Sequence, residues 1–417
     1  MPRAERRAVL GAAAFAVLAL VVKAWWAASG RQVSDVSLYL SVGDRIARGE
    51  VPYADFDFEY PPGALPVLAL PALVSDGRTG YDVWFGLLLA VTGAAGVVLV
   101  DRCLARLGRT DRERGWTLVA LAASPLVLGA LLLDRFDLLP ATLTVAAVAA
   151  LLGGRSRAAG VALGAAIAVK LYPVVLLPLA LAWTWRRDGR RAAAVTGALA
   201  LAVPVTAYLP FLVASPGGVV QSLAHQASRP LQIESVGAGL LLAAHQVAGL
   251  DLEWRSGHGS QNLVGGVPDA LALASSAVQV AVLVALWWAF ARDSGDGERL
   301  GRFAAAAVCA FVALGKVLSP QFLVWLLFLV PLVGGVRGRI AAGLYGAVAV
   351  LTAAWFPARY WSLVRELEPL ASWLVAARGL ALVALLAVLA LPAASLSAAR
   401  RRAPARSPTP VPSPGRR

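Results

Sequence analysis

Ala166-Ile-Ala-Val-Lys170-Leu-Tyr-Pro173 and Leu314-Gly-Lys316-Val-Leu-Ser-Pro320-Gln321 each set a lysine inside an otherwise apolar run. Besides these the chain has one further lysine, Lys23, among 38 Lys+Arg. An ammonium near hydrocarbon costs a few kcal/mol or more, so it pairs with an anion or lines a wet cavity. In both stretches a proline follows within one turn and bars the helix from continuing. Two such interruptions predict a buried anion site within a bundle of membrane helices.

The surrounding composition supports that class. The chain of 417 residues is 59% hydrophobic and 15% charged, with a mean hydropathy of +0.70. Several uncharged runs reach the length of about 18 residues needed to cross hydrocarbon. This predicts an all-α, polytopic transmembrane helical bundle of about 10–13 spans, some short or re-entrant, and excludes a soluble domain. Cys103 and Cys309 lie far apart in or beside apolar runs, which suggests neither a disulfide framework nor a metal site. No metal-ligand set is visible in the sequence, which leaves a metal requirement open, and no other cofactor is expected.

Charge fixes an expected orientation. Arginines flank the first apolar run, about 8–28, and the segment 29–62 holds six acids against three arginines. The excess of arginine belongs on the cytoplasmic side. That puts the N-terminus inside and 29–62 outside. The loop Asp101–Arg114, with five arginines, then falls inside, and the polar segment 214–263 outside. Lys170 and Lys316 become tips of short hairpins, at 158–185 and 302–335, on the outer side. A transmembrane domain is expected over 1–397. A basic, proline-rich cytoplasmic tail follows over 398–417, with six arginines and the composition of a disordered segment.

Candidate chemistry gathers on the outer loops. Asp35 follows the first span by a few residues. A carboxylate at the lip of a membrane cavity can act as a general base on a hydroxyl; equally, Asp35 can cap a helix or pair with Arg31. In the second loop Arg229 has the fork that grips a phosphate through two parallel hydrogen bonds, and Glu234 can orient it or a substrate hydroxyl. A solvated Arg–Glu pair is the plain alternative. The three histidines have no metal-ligand spacing. The outer turn Asp134-Arg135-Phe136-Asp137 adds three charges. No phosphate-binding loop or dinucleotide fingerprint occurs, and no cytoplasmic loop is long enough for a nucleotide domain. A reaction on the outer face needs an activated substrate that travels in the membrane, and a lipid-borne donor meets that need. Nucleic acid is not an expected partner.

The ordered set Asp35…Tyr39, Pro52-Tyr53…Tyr60-Pro61-Pro62, Lys170-Leu-Tyr-Pro173, Arg229-Pro-Leu-Gln-Ile-Glu-Ser235 and Lys316-Val-Leu-Ser-Pro-Gln321-Phe-Leu-Val-Trp325 resembles glycosyltransferase family 87. These are actinobacterial mannosyltransferase-like enzymes within the polyprenyl-phosphate-dependent GT-C class, and the likeness covers roughly 8–395. It implies a GT-C-like fold in the cytoplasmic membrane and an active site on the outer face. A sugar, expected to be mannose, would move from a polyprenyl-phosphate donor to a glycolipid, glycan or protein hydroxyl, with inversion. It implies Asp35 as catalytic base. Lys170, Lys316 and Arg229 would then meet the donor phosphate, with Tyr39, Glu59, Tyr60, Arg135, Asp137, Glu234 and Gln321 supporting. Asp134-Arg135-Phe136-Asp137 departs from the Gly-Gln-Asn-like turn expected of many members, which leaves the substrate open. A secondary transporter, with intramembrane lysines beside Pro-interrupted helices, is the rival class. The length and polarity of 29–62 and 214–263 weigh against it. A lipid-binding scaffold without activity is a third reading.

Overall fold

The computed structural model describes residues 3–30 and 34–392. Arg31 and the expected tail at 398–417 lie outside the described residues. In chain order the helices are α1 (Arg3–Ser29), α2 (Val36–Ala47), α3 (Leu65–Leu73), α4 (Gly77–Arg106), α5 (Asp111–Ala123), α6 (Pro125–Leu128), α7 (Leu138–Leu152), α8 (Ser156–Val169), α9 (Leu177–Ala214) and α10 (Pro216–Ala227). There follow β1 (Leu231–Gln232), α11 (Val236–Ala248), β2 (Glu253–Gly257), β3 (Ser260–Val264), α12 (Gly266–Arg292), α13 (Gly297–Leu314), α14 (Val324–Leu327), α15 (Gly335–Trp355), α16 (Tyr360–Glu366) and α17 (Pro369–Ala390).

Among the described residues, 6 helices are long and apolar enough to cross a membrane: α1, α4, α9 with the short turn before it, α12, α15 and α17. Other apolar segments, including Pro62–Leu73, Leu138–Leu152, Ser156–Val169 and Pro320–Leu332, are shorter. The expected dozen spans therefore divides into long helices and short ones that end inside the bundle. Proline and glycine cause most of the shortening. The apolar run 116–133 breaks at Pro125, and Gly189 (φ 86°) divides the long α9 between its two halves. Among the described residues the bundle is all-α apart from a three-stranded antiparallel sheet, β1-β3-β2, spanning 231–264.

The centre of the bundle is α13. Its stretch Phe303-Ala-Ala-Ala-Ala-Val-Cys-Ala310 is buried throughout. Small side chains let neighbouring backbones approach closely, the main source of association where lipid is as apolar as protein. Around it pack α7, α12, α14 and α17. By contrast α9 and α12 carry exposed Leu201, Val205, Leu209, Val280 and Val284, as lipid-facing helices should.

A second, smaller core forms at one end. Leu231, Ile233, Leu242 and Leu263 pack there with Trp355, Leu363 and Val375. It joins the strands and α11 to α16 and α17. The same end carries α10 laid across the segment 53–59. Three side chains of α10 and its cap donate to main-chain carbonyls there: Ser215 to Tyr53 (3.0 Å), Ser222 to Phe58 (2.7 Å) and Gln226 to Glu59 (3.1 Å). Gly218 faces the Tyr53 carbonyl so closely that a Cβ would overlap it, which is why this crossing needs a glycine.

Candidate active site

Asp35 is the N-cap residue of α2, yet its side chain caps nothing. Its Oδ2 instead forms an ion pair with Arg135 Nη1 and accepts a hydrogen bond from the Tyr39 hydroxyl at 3.4 Å. Residues 35 and 39 are one turn apart, so the hydroxyl and carboxylate share a helix face. Tyr39 is buried among Tyr60, Phe85 and Phe136, at ring distances of 6.2, 5.5 and 5.5 Å. A rigid aromatic wall thus stands behind a half-buried carboxylate.

The turn Asp134-Arg135-Phe136-Asp137 sends its charges in three directions. Asp134 Oδ1 meets Lys23 Nζ at 2.6 Å, and Asp82 meets the same ammonium at 2.7 Å. Arg135 reaches Asp35. Asp137 Oδ1 accepts from Lys170 Nζ (2.7 Å) and from the Trp325 indole (2.6 Å), while its Oδ2 is buried without a partner. Lys170 ends α8, and Pro173 starts the next turn. Its ammonium lies 4.7 Å from the Phe136 ring and 5.4 Å from that of Trp325. Stacking of Trp325 between Tyr172 (4.0 Å) and Phe322 (3.9 Å) fixes that wall. A cation over ring faces gains from their negative quadrupoles.

Lys316 and Arg229 form a separate cationic pair. Lys316 lies in the irregular link between α13 and the next 3-10 turn, where its Nζ donates to the Ala227 carbonyl at 2.9 Å. The Lys316 carbonyl accepts from Gln232 N at 2.9 Å. Burial, with Arg229 nearby, lowers the affinity of Lys316 for its proton. Arg229 donates to Ser260 Oγ at 3.1 Å, and its buried Nε has no partner. Glu59, Tyr60 and Glu234 lie within its electrostatic reach.

Glu234 joins the two halves. Its fully enclosed carboxylate accepts from the Gln232 amide, which also donates to Ser319 Oγ at 3.0 Å. Arg378, Arg135 and Arg229 all pull on its charge, yet burial outweighs them and pushes its pKa up to about 7. Arg378, fully buried on α17, donates to the Glu234 carbonyl and leaves Nε and Nη1 without partners. Gln321 follows Pro320 in the 3-10 turn before α14, half-buried beside Phe322. Among the described residues no three His, Cys, Asp or Glu come together as metal ligands.

The structure thus brings Asp35, Tyr39, Tyr60, Arg135, Glu234, Arg229 and Lys316 into one connected region, with Glu59 at its edge. Asp137 and Lys170 adjoin it through Phe136. Sequence reasoning passed over Lys23, Asp82, Trp325 as a hydrogen-bond donor, and Arg378. For Arg378 a signal existed: a lone arginine within 371–397 is as telling as a lone lysine.

Residues 58–320 match the family described as Glycosyltransferase family 87. No curated protein matches. Among solved structures, ArnT from Cupriavidus metallidurans bound to undecaprenyl phosphate is 16% identical, with a TM-score of 0.47, over 90% of this chain and 76% of that one. The apo state of the same protein gives 16% and 0.47 over 86% and 72%. Arabinosyltransferase EmbB from Mycobacterium smegmatis is 15% identical, with a TM-score of 0.36, over 97% of this chain and 41% of that one.

Proposed function

The chain belongs to glycosyltransferase family 87, and from that premise we propose that it moves a sugar, mannose by expectation, from a polyprenyl-phosphate donor to an acceptor hydroxyl at the outer face of the cytoplasmic membrane. The observation that carries this is the pairing of opposite chemistries around Glu234: a carboxylate, Asp35, held by Arg135 on one side, and the cations Arg229 and Lys316 on the other.

In this reading the reaction is a single inverting displacement. Asp35, held through Oδ2 by Arg135 and Tyr39, takes the proton of the acceptor hydroxyl. That oxygen attacks the anomeric carbon while the bond from that carbon to the phosphate oxygen breaks. Arg135 keeps Asp35 aimed. Charge accumulates on the departing polyprenyl phosphate, where fixed cations away from water act most strongly. Lys316 and Arg229 supply them. Lys170 adds positive potential already balanced by Asp137, so its part is to shape the wall as much as to bind. Tyr60, Glu59 and Gln321 border the space between. The test is direct: purified protein in lipid, given polyprenyl-phosphate-linked sugars and a sugar acceptor, should release polyprenyl phosphate and lengthen the acceptor. If no polyprenyl-phosphate sugar is consumed, the reading is wrong.

A further inference from the structure

Beside Asp35 lies a cavity of about 310 Å³ that the proposed reaction has not yet used. Its walls include Asp57, Phe58, Glu59, Tyr60, Gln221 and His225. Leu38 and Val42 of α2 also face it. Residues 35, 38 and 42 follow the spacing of one helix face, so the cavity opens along the face that Asp35 heads. Tyr60 lines the cavity, and its ring packs against Tyr39, whose hydroxyl donates to Asp35.

The walls are fixed before any ligand arrives. The three hydrogen bonds that tie α10 to segment 53–59 all end on main-chain carbonyls. They leave the carboxylates of Asp57 and Glu59 uncommitted to α10. Opposite, His225 stacks on His258 at 4.1 Å, which pins the β2–β3 turn over the cavity, and Gly259 of that turn faces Glu59 Oε2. The volume is at the small end of ligand cavities, roughly 300–1,000 Å³. It suits a sugar ring and not a lipid chain. Carboxylates and an amide accept and donate to vicinal hydroxyls, and aromatic edges cover the apolar face of a ring. Two carboxylates in the wall, Asp57 and Glu59, disfavour an anionic ligand.

We propose that this cavity is the acceptor subsite, and that it takes an uncharged pyranose as the terminal sugar of the acceptor. The inference rests on the transferase reading above for its role, although the binding it asserts can be measured without turnover. Gln221 is exposed on α10 and lines the cavity, while the native Cys103 and Cys309 are buried. The full chain carrying Gln221→Cys therefore offers one accessible thiol. Its labelling by a small maleimide should slow at least threefold in millimolar methyl α-hexopyranoside. The matching hexuronate and polyprenyl phosphate should leave the rate unchanged. Adding Glu59→Gln should bring hexuronate protection closer to that of the neutral glycoside. Absence of protection by the neutral glycoside, or equal protection by hexuronate, overturns the acceptor assignment even if polyprenyl-phosphate sugar is consumed. Protection in a protein that consumes no such donor keeps the sugar site and removes the transferase mechanism.

Discussion

Lys170 and Asp137, 33 residues apart, form a 2.7 Å ion pair roofed by the rings of Phe136 and Trp325. Asp137 is almost wholly enclosed. Removing one member of such a pair leaves an uncompensated buried charge, which costs about 3–5 kcal/mol. Lys170→Met alone and Asp137→Leu alone should each lower the thermal unfolding midpoint markedly in detergent. The double variant should recover much of the loss, because an apolar pair carries no unpaired charge. If the two single effects simply add, the residues are not coupled as the geometry says.

Asp35→Asn tests the base. An amide keeps the size and the contact with Tyr39 but cannot take a proton. Turnover should fall by about two to four orders of magnitude, the usual share of general-base catalysis, with donor affinity little changed. Arg135→Gln should give a smaller loss of turnover, since the guanidinium fixes the position of Asp35. Near-normal turnover in Asp35→Asn would move the role to Glu59, Asp137 or Glu234.

The cationic pair makes a different prediction. Lys316→Met or Arg229→Gln should lower kcat/KM for the donor by about 10- to 150-fold, the equivalent of a lost charge-assisted hydrogen bond of roughly 1.5–3 kcal/mol. Arg229→Lys should rescue only in part, because a compact ammonium does not reproduce a planar fork. Steady-state kinetics with varied donor distinguish this from a folding defect, which would lower kcat for donor and acceptor alike.

Glu234 gives the pH dependence. Its folded pKa of about 7 stands above the ordinary 4.5. A carboxyl raised in this way contributes stability that is fully present below about 4.5 and is lost as pH rises through 7. The shift corresponds to about 3 kcal/mol across that window. Glu234→Gln does not titrate, so the unfolding midpoint of the native chain relative to this variant should fall between pH 5 and pH 8. A constant gap would show that Glu234 is ionised throughout.

Much of this arrangement is legible in the sequence because membranes make charge expensive. Lys170 and Lys316 announce themselves as lone cations before prolines, and the helices do end there. Their partners are not legible. Lys170 meets Asp137 and Lys316 meets a carbonyl of residue 227, contacts made by packing between distant segments. Arg135 and Asp137 of the turn Asp134-Arg135-Phe136-Asp137 are legible as candidates, but not that its four side chains serve Asp35, Lys170, Lys23 and Tyr39. The sheet spanning 231–264 was missed because β1 is 2 residues long and β2 lies mostly exposed. The expected 10–13 spans, some short or re-entrant, divide among the described residues into 6 long apolar helices and five shorter apolar segments, since hydropathy alone does not separate a long helix from one that stops early at a proline.

Orientation is the remaining expectation, and the chemistry depends on it. The acids of 29–62 and the arginines of 101–114 place Asp35, Arg229 and Lys316 outside by the positive-inside rule. Cysteine can be introduced at exposed Asp55 and at Gly257 and Gly295, where a Cβ meets open space, while both native thiols are buried. Asp55→Cys and Gly257→Cys should react with a membrane-impermeant maleimide in intact cells. Gly295→Cys, in the link between α12 and α13, should react only after the membrane is permeabilised. The reverse pattern would put the site on the cytoplasmic face, where soluble nucleotide-sugars are at hand, and the need for a lipid-borne donor would disappear with it.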